Sequence, residues 1–499
     1  MNYPMIRYVL AWVLKVEGAI MALPCLVALV YHEQTGFAYL LCMLICLTIG
    51  FAGTARRPRE TEIYTKDGMV TVSLAWLVLS LFGALPFVMT GEIPNYVDAM
   101  FEIISGFTTT GASICTDVEA LSHATRFWRS FSHWIGGMGV LVFILMMFPV
   151  RSGSQMNLMK AESPGYNVSK FVPHVRDTAK ILYRIYLAMT VAQIVILLAS
   201  GMYWFDALCI TFGSAGTGGF SVLNDSCASY TPFQQVVTAV FMIAFGVNFS
   251  FYYLVTIRRA RDAFRMEEVR AYLGIILAAI VLISVNTVGM YASVGECVRA
   301  ALFQVASIIT TTGYSTVDFN LWPALSKEIL LLLMCIGACA GSTGGGLKVS
   351  RVIIFLRAAK RGIRSYVHPH NVMKVRMDGE PVSEEQVDSV YIFLIIYVFV
   401  FALSVLVVSI DGFNFESNFS AVAATLNNIG PGLEVVGPMS NFSAYSYLSK
   451  LVLMFDMLAG RLELFPVLVM LDPNVWTKGA RKDRKDARAR RRATKAVAA

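Results

Sequence analysis

The chain has 499 residues, 56% of them hydrophobic and only 15% charged, with a formal net charge of +8 and a mean hydropathy of +0.62. That balance fits a polytopic membrane protein and little else. The nine cysteines give no metal or redox pattern. Cys42/Cys46 and Cys335/Cys339 have helical spacing in apolar segments with no histidine nearby, and read as small buried residues. Cys115, Cys227 and Cys297 fall in expected loops and are free to pair, though their spacing demands no pairing.

In chain order, the apolar start is broken by Lys15 and Glu17 and has no small-residue cleavage site, so it reads as a retained first spanning helix. Runs long enough to span begin near residues 8, 36, 70, 127, 178, 232, 271, 326, 388 and 446, a span needing about 20 residues. The basic loops at 54–60, from Arg151 to Lys180, at 258–265, at 357–364 and from Lys478 onward each follow an even-numbered span. The opposite loops, such as TGEIPNYVD, GMYWFD and SIDGFNFES, are acidic. The positive-inside rule then predicts cytoplasmic termini and cytoplasmic basic loops. The basic tail reads as a topology anchor drawn to anionic lipid, with docking to a cytoplasmic partner as the alternative. A nucleic-acid partner is not expected.

After two spans, one plan occurs four times: span, acidic outer loop, half-length apolar segment, glycine-bearing polar stretch, span. The polar stretches are TTTGAS (108–113), GTGGFS (216–221), TTTGYS (310–315) and NNIGPG (427–432). Each half-length segment starts near an acid, namely Asp98, Asp206, Glu296 and Glu416. From acid to aligned glycine is 13 to 17 residues, about 20–25 Å as helix, too short for a hydrocarbon core of ~30 Å. Such a helix dips in from outside and stops partway, its acid at the positive end of the macrodipole. Non-helical backbone at that depth must be buried in protein or line water. The four stretches are therefore expected to present carbonyl rings to a cation. The candidate residues are Thr109, Thr110 and Gly111; Thr217, Gly218 and Gly219; Thr311, Thr312 and Gly313; and Asn428, Ile429 and Gly430.

The expected fold is an all-α polytopic membrane protein: two extra N-terminal spans, then four pseudo-symmetric membrane helix–pore loop–membrane helix repeats around a central ion pore. The segments are 1–66 (two spans), 67–160, 161–266, 267–380 and 381–477 (repeats one to four) and 478–499 (basic tail).

The residues from Ser326 to Leu356 number 31, about 46 Å as one helix, but GACAGSTGGGLK (337–348) interrupts them. A glycine-rich break at mid-membrane reads either as an unwound loop lining a cavity or as a tight helix crossing. Arg461, deep in LVLMFDMLAGRLELFPVLVM, is either a functional charge or the partner of Asp456 or Glu463.

The stretches SGFTTTGAS, GTGGFSV, TTTGYSTVDF, NNIGPGL, GSTGGGLKVSR and LAGRLELFPVLVM resemble the TrkH/KtrB superfamily of potassium transporters over nearly the whole chain. The extra pair of spans resembles the TrkH branch. The resemblance implies potassium as substrate, no cofactor in this chain, a bacterial cytoplasmic membrane, a homodimer with one pore per protomer, and a cytoplasmic nucleotide-binding ring, TrkA, as regulator. It further implies that Gly341, Gly344, Gly345 and Gly346 belong to a gating loop, that Lys348 marks its cytoplasmic exit, and that Arg461 is a positive barrier below the filter. Two departures stand out. Gly216-Thr217-Gly218 and Asn427-Asn428-Ile429 replace the threonine runs, and no copy has the second glycine of a TVGYG loop, so weaker discrimination against sodium is expected.

Of competing functions, a sodium- or proton-coupled secondary transporter would want embedded carboxylates and inverted repeats. An enzyme is not expected, since no Walker loop, HExxH, GxSxG or nucleotide fingerprint occurs. GSTGGGLK lacks the GK[ST] ending and lies inside a span.

Overall fold

The computed structural model describes residues 1–59, 62–139, 175–368 and 373–476. The basic loop from Arg151, up to residue 174, and the tail from Lys478 lie outside the described residues. The regular structure of the described residues is helical apart from one short hairpin, Arg376–Met377 with Glu380–Pro381, closed by Asp378 and Gly379 at φ 51° and 80°. Two left-handed residues in a two-residue turn match the right-handed twist of a hairpin.

The N-terminal unit is Tyr3–Ile20, continued by Ala22–Val30, packed against Gly36–Thr54. It is tied to the first repeat by Glu33. That carboxylate accepts the backbone N–H groups of His123 (2.8 Å) and Ala124 (3.1 Å) at a helix start, where orphan donors and dipole favour an acid.

Each repeat then contributes an incoming helix, a half-helix and an outgoing helix. The incoming helices are Thr65–Gly83 with Leu85–Thr90, Val175–Ala199, Glu267–Thr287 and Glu384–Val408. They form the outer wall: Leu277, Val281 and Val285, and Ile395, Phe399 and Leu406, are exposed along single helix faces, as lipid-facing stripes are. The half-helices are Tyr96–Phe107, Trp204–Gly216, Val294–Ile309 and Phe415–Leu426, and their C-terminal turns are buried throughout. Asn95, Ser293 and Asn414 cap three of them by accepting first-turn N–H groups. The predicted acids all sit in the first turn. Two of them meet a lysine from the outgoing helix of another repeat: Asp98 with Lys450 of the fourth at 2.7 Å and Glu416 with Lys327 of the third at 3.1 Å.

The outgoing helices depart from plain spans. Among the described residues, six helices are long and apolar enough to cross a membrane unbroken, and none of them is an outgoing helix. The first outgoing helix is His123–Gly137, beyond which description ends at residue 139. The second, Pro232–Phe245, turns by 90° into Phe249–Thr256, with Asn248 capping the new start at Ser250. The third breaks between Ala324–Ile336 and Val349–Val367, as expected, and the fourth between Tyr447–Arg461 and Phe465–Leu471. The sequence reading took the second and fourth as ordinary spans, and both are corrected here. Cys297 is also corrected: it lies in the third half-helix rather than a loop. All nine cysteines are free thiols.

Candidate functional site

The site begins where each half-helix ends. In all four repeats the chain leaves the helix through the same pair of hydrogen bonds. Thr109, Thr217, Thr311 and Asn428 donate three residues back, to Gly106, Ser214, Ile308 and Thr425. Thr110, Gly218, Thr312 and Ile429 donate five back, to Ser105, Gly213, Ser307 and Ala424, at 2.8–2.9 Å. This is the Schellman exit, whose left-handed residue is usually glycine. Here it is threonine three times and asparagine once, at φ 56°, 58°, 59° and 57°. Two residues on, Gly111, Gly219, Gly313 and Gly430 are again left-handed, at φ 79°, 77°, 86° and 98°. The residue between keeps negative φ, and alternating the sign of φ turns successive carbonyls to one side instead of to opposite sides as in a strand.

The four stretches close on one another. A Cβ on Gly111 would overlap the carbonyl oxygen of Gly218, one on Gly219 that of Thr312, and one on Gly313 that of Ile429. One on Gly430 would come within 2.7 Å of the Thr110 oxygen. The order runs from repeat one through four and back to one, so the carbonyls of Thr110, Gly218, Thr312 and Ile429 each meet the glycine of an adjacent repeat in a closed ring of contacts. Only a residue without a Cβ lets neighbouring backbones meet this closely.

The quarters are braced differently. In repeats one and three, the hydroxyls of Thr108 and Thr110, and of Thr310 and Thr312, lie 2.8 Å apart. In repeat four, Asn428 Nδ2 donates to Thr110 Oγ1 (3.0 Å) and to the Met457 carbonyl (2.8 Å), while Asn427 bonds Tyr397. In repeat two, His133 fills the space at both glycines, its carbonyl against Gly216 and its ring against Gly218. Tyr314 Oη donates towards the carbonyls of Ile210 (3.2 Å) and Phe220 (3.3 Å), joining repeats two and three. Behind the first stretch, Arg129 and Glu102 make a buried ion pair at 2.7 Å, and Glu102 also accepts from Ser113 and the Ile114 N–H.

The interrupted third outgoing helix packs its loop directly beneath the ring. The Gly345 N–H donates to Thr311 Oγ1 at 2.6 Å. A Cβ on Gly344 would lie 2.9 Å from the Thr310 carbonyl, and one on Gly345 would overlap that of Asn427. These two glycines serve close approach, whereas Gly341 and Gly346, at φ 71° and 77°, serve left-handed turns. The loop is also moored to the break in the second outgoing helix: Cys339 N–H to Gly246 O (3.1 Å), Phe249 N–H to Gly341 O (3.0 Å) and Thr343 Oγ1 to Phe245 O (3.3 Å). Glu268 completes the mooring, accepting from the N–H groups of Ala340 (2.6 Å) and Ser350 (3.2 Å) and from Asn248 (3.3 Å). Lys348 is buried, its ammonium turned back onto the Gly344 carbonyl, so it lies within the loop rather than at a solvent exit.

Arg461 joins loop and ring. It donates to Thr109 Oγ1 (3.1 Å), to the carbonyls of Thr343 and Gly137 (both 2.9 Å) and to that of Gly136. Of the two nearby acids, Glu463 pairs with Arg351 and Asp456 accepts from Ser404. Sequence reasoning missed His133, Glu102–Arg129, Glu268 and Asn248. The polar runs SHW and FGVNFS inside apolar segments were the available signal.

A helical membrane protein whose four repeated half-helices end in stretches that meet in one closed cycle has the architecture of a transport protein. The chain belongs to the TrkH family, whose model, described as "Cation transport protein", matches residues 36–477. It is 35% identical over 485 residues to the Trk system potassium uptake protein TrkH of Salmonella typhimurium, covering 95% of this chain and 100% of the relative. It is 34% identical over 484 residues to the TrkH of Escherichia coli K12, with the same coverage. The crystal structure of the potassium transporter TrkH from Vibrio parahaemolyticus superimposes with a TM-score of 0.85 at 33% identity, over 96% of this chain and 100% of that one.

Proposed function

We propose that this chain is the membrane subunit of a potassium uptake system of the bacterial cytoplasmic membrane, passing potassium inward down its electrochemical gradient. The observation that carries this is the ring formed by the Thr110, Gly218, Thr312 and Ile429 carbonyls. Four neutral oxygens facing one axis replace the hydration shell of a monovalent cation without trapping it. Four half-helices ending at the ring add the negative ends of their dipoles. The twelve residues from Thr109 to Gly111, Thr217 to Gly219, Thr311 to Gly313 and Asn428 to Gly430 make up the filter, and the six segments predicted from the sequence serve as its structural units. Both termini and the basic loops face the cytoplasm.

The loop from Gly337 to Lys348 and Arg461 are the gate. They lie against the inner side of the ring, and a cytoplasmic nucleotide-binding subunit of the TrkA kind moves them. The working assembly is a homodimer with one pore in each protomer.

The test is radioactive rubidium uptake into proteoliposomes loaded with potassium, with Gly313→Asp as control. Uptake lost in folded Gly313→Asp supports the filter; equal uptake by both proteins overturns it. The runner-up is a sodium- or proton-coupled symport, favoured by two buried carboxyls, Glu17 and Asp456, with oxygens lacking a hydrogen-bond partner. It requires uptake to follow an imposed sodium or pH gradient at fixed membrane potential; conductive permeation does not.

A further inference from the structure

His133 belongs to the outgoing helix of repeat one, yet its ring works at the junction with repeat two. Nδ1 lies 2.7 Å from the Gly106 carbonyl oxygen, and the Phe220 backbone N–H lies 3.1 Å from Nε2. A carbonyl only accepts and an amide N–H only donates, so the imidazole is neutral with its proton on Nδ1. It thereby spans from the end of the first half-helix to the residue that follows Gly219. The ring is fully buried and lies 4.4 Å from the Phe220 ring, centroid to centroid.

The same ring accounts for the odd composition of the second quarter. A Cβ on Gly218 would overlap the imidazole, and one on Gly216 would overlap the His133 carbonyl. In repeats one and three, the two equivalent positions hold threonines whose hydroxyls bond each other. Repeat two has no such pair, and its Gly216-Thr217-Gly218-Gly219 backbone is the loosest of the four in its own right. Its ring carbonyl, that of Gly218, is confined from outside by a side chain of the neighbouring repeat.

We propose that His133 is the positioning residue of the second quarter, holding the Gly218 carbonyl in the ring and thereby setting how well the ring separates potassium from sodium. This rests on the ring being the filter. Selectivity depends on the number and placement of the coordinating carbonyls, and one oxygen free to move admits the smaller ion.

The experiment measures the potassium-to-sodium permeability ratio from reversal potentials in proteoliposome-derived bilayers. It compares the unaltered protein, His133→Ala, His133→Gln, His133→Ala with Gly218→Thr, and Gly313→Asp. Removing the imidazole should lower the ratio about tenfold, the order expected from losing one well-made hydrogen bond at a discriminating site. His133→Gln should fall with it, since one amide does not span both partners. Adding Gly218→Thr to His133→Ala should restore part of the ratio by refilling the space, as threonine does in repeats one and three; a purely structural role gives no such rescue. An unchanged ratio in both single variants, with Gly313→Asp still blocking, overturns the role of His133 and leaves the filter standing. Passage of ions through Gly313→Asp overturns the filter itself. Failure of both single variants to fold also overturns the inference, because it makes His133 a general folding residue.

Discussion

Arg461 lies against the ring and donates to Thr109 Oγ1 and to the carbonyls of Thr343, Gly136 and Gly137. Under the proposed function that one side chain has two roles: a positive potential on the cation path, and a latch between loop and ring. They separate by substitution. Arg461→Ala removes both and should raise basal rubidium flux several-fold to tenfold. Arg461→Lys keeps the charge but has no planar fork to serve several acceptors at once. Flux that stays low in Arg461→Lys assigns the resistance to charge; flux as high as in Arg461→Ala assigns it to the latch. At this scale the sequence was only partly legible. The four aligned glycines announced themselves, since they recur in register. The left-handed backbone of Thr109, Thr217, Thr311 and Asn428, which the same alignment singles out, did not, because threonine rarely holds that conformation and nothing local marks the cost. His133 stayed hidden because its partners, Gly106 and Phe220, stand 27 and 87 residues away along the chain.

Among the described residues, the second, third and fourth outgoing elements break at the level of the ring, and legibility tracked how loudly each break was written. Four glycines within 341–346 made the third plain. The second rests on Gly246 and Asn248 alone, and the fourth on Glu463 and Leu464 at φ 56° and 66°, where only Pro466 hinted at a new helix start. The third break carries the loop, and its mooring gives a prediction. Glu268→Gln loses the charge in bonds to Ala340, Ser350 and Asn248, each charge-assisted bond contributing about 1.5–3 kcal/mol. Hydrogen exchange at the amides of Cys339, Ala340 and Ser350 should accelerate, and basal flux should rise. Deleting residues 341–346 should raise flux further. Exchange in Glu268→Gln at the unaltered rate would show that the carboxylate does not hold the loop.

Across the whole molecule, the repeats are stitched at their outer ends by Lys450–Asp98 and Lys327–Glu416. Lys450 is buried and Asp98 half-buried, so Lys450→Met should cost ~2 kcal/mol, between the values for exposed and fully buried pairs. Thermal unfolding in detergent would reveal it as a lowered midpoint, and an unchanged midpoint would mean the pair adds nothing. The four-fold plan and the half-helices were readable in sequence because lengths, acids and glycines recur. Which residues meet across the repeats was not, since contacts such as that of Thr110 with Gly430 join positions 320 apart.

That closure has a consequence for inheritance. Where four identical chains surround an axis, one altered codon changes every quarter at once. Here one codon alters one quarter, and the other three carbonyls keep their places. Each quarter is therefore free to differ from the others, as the second does, with a histidine of the neighbouring repeat beside Gly218 where two sister repeats have threonine.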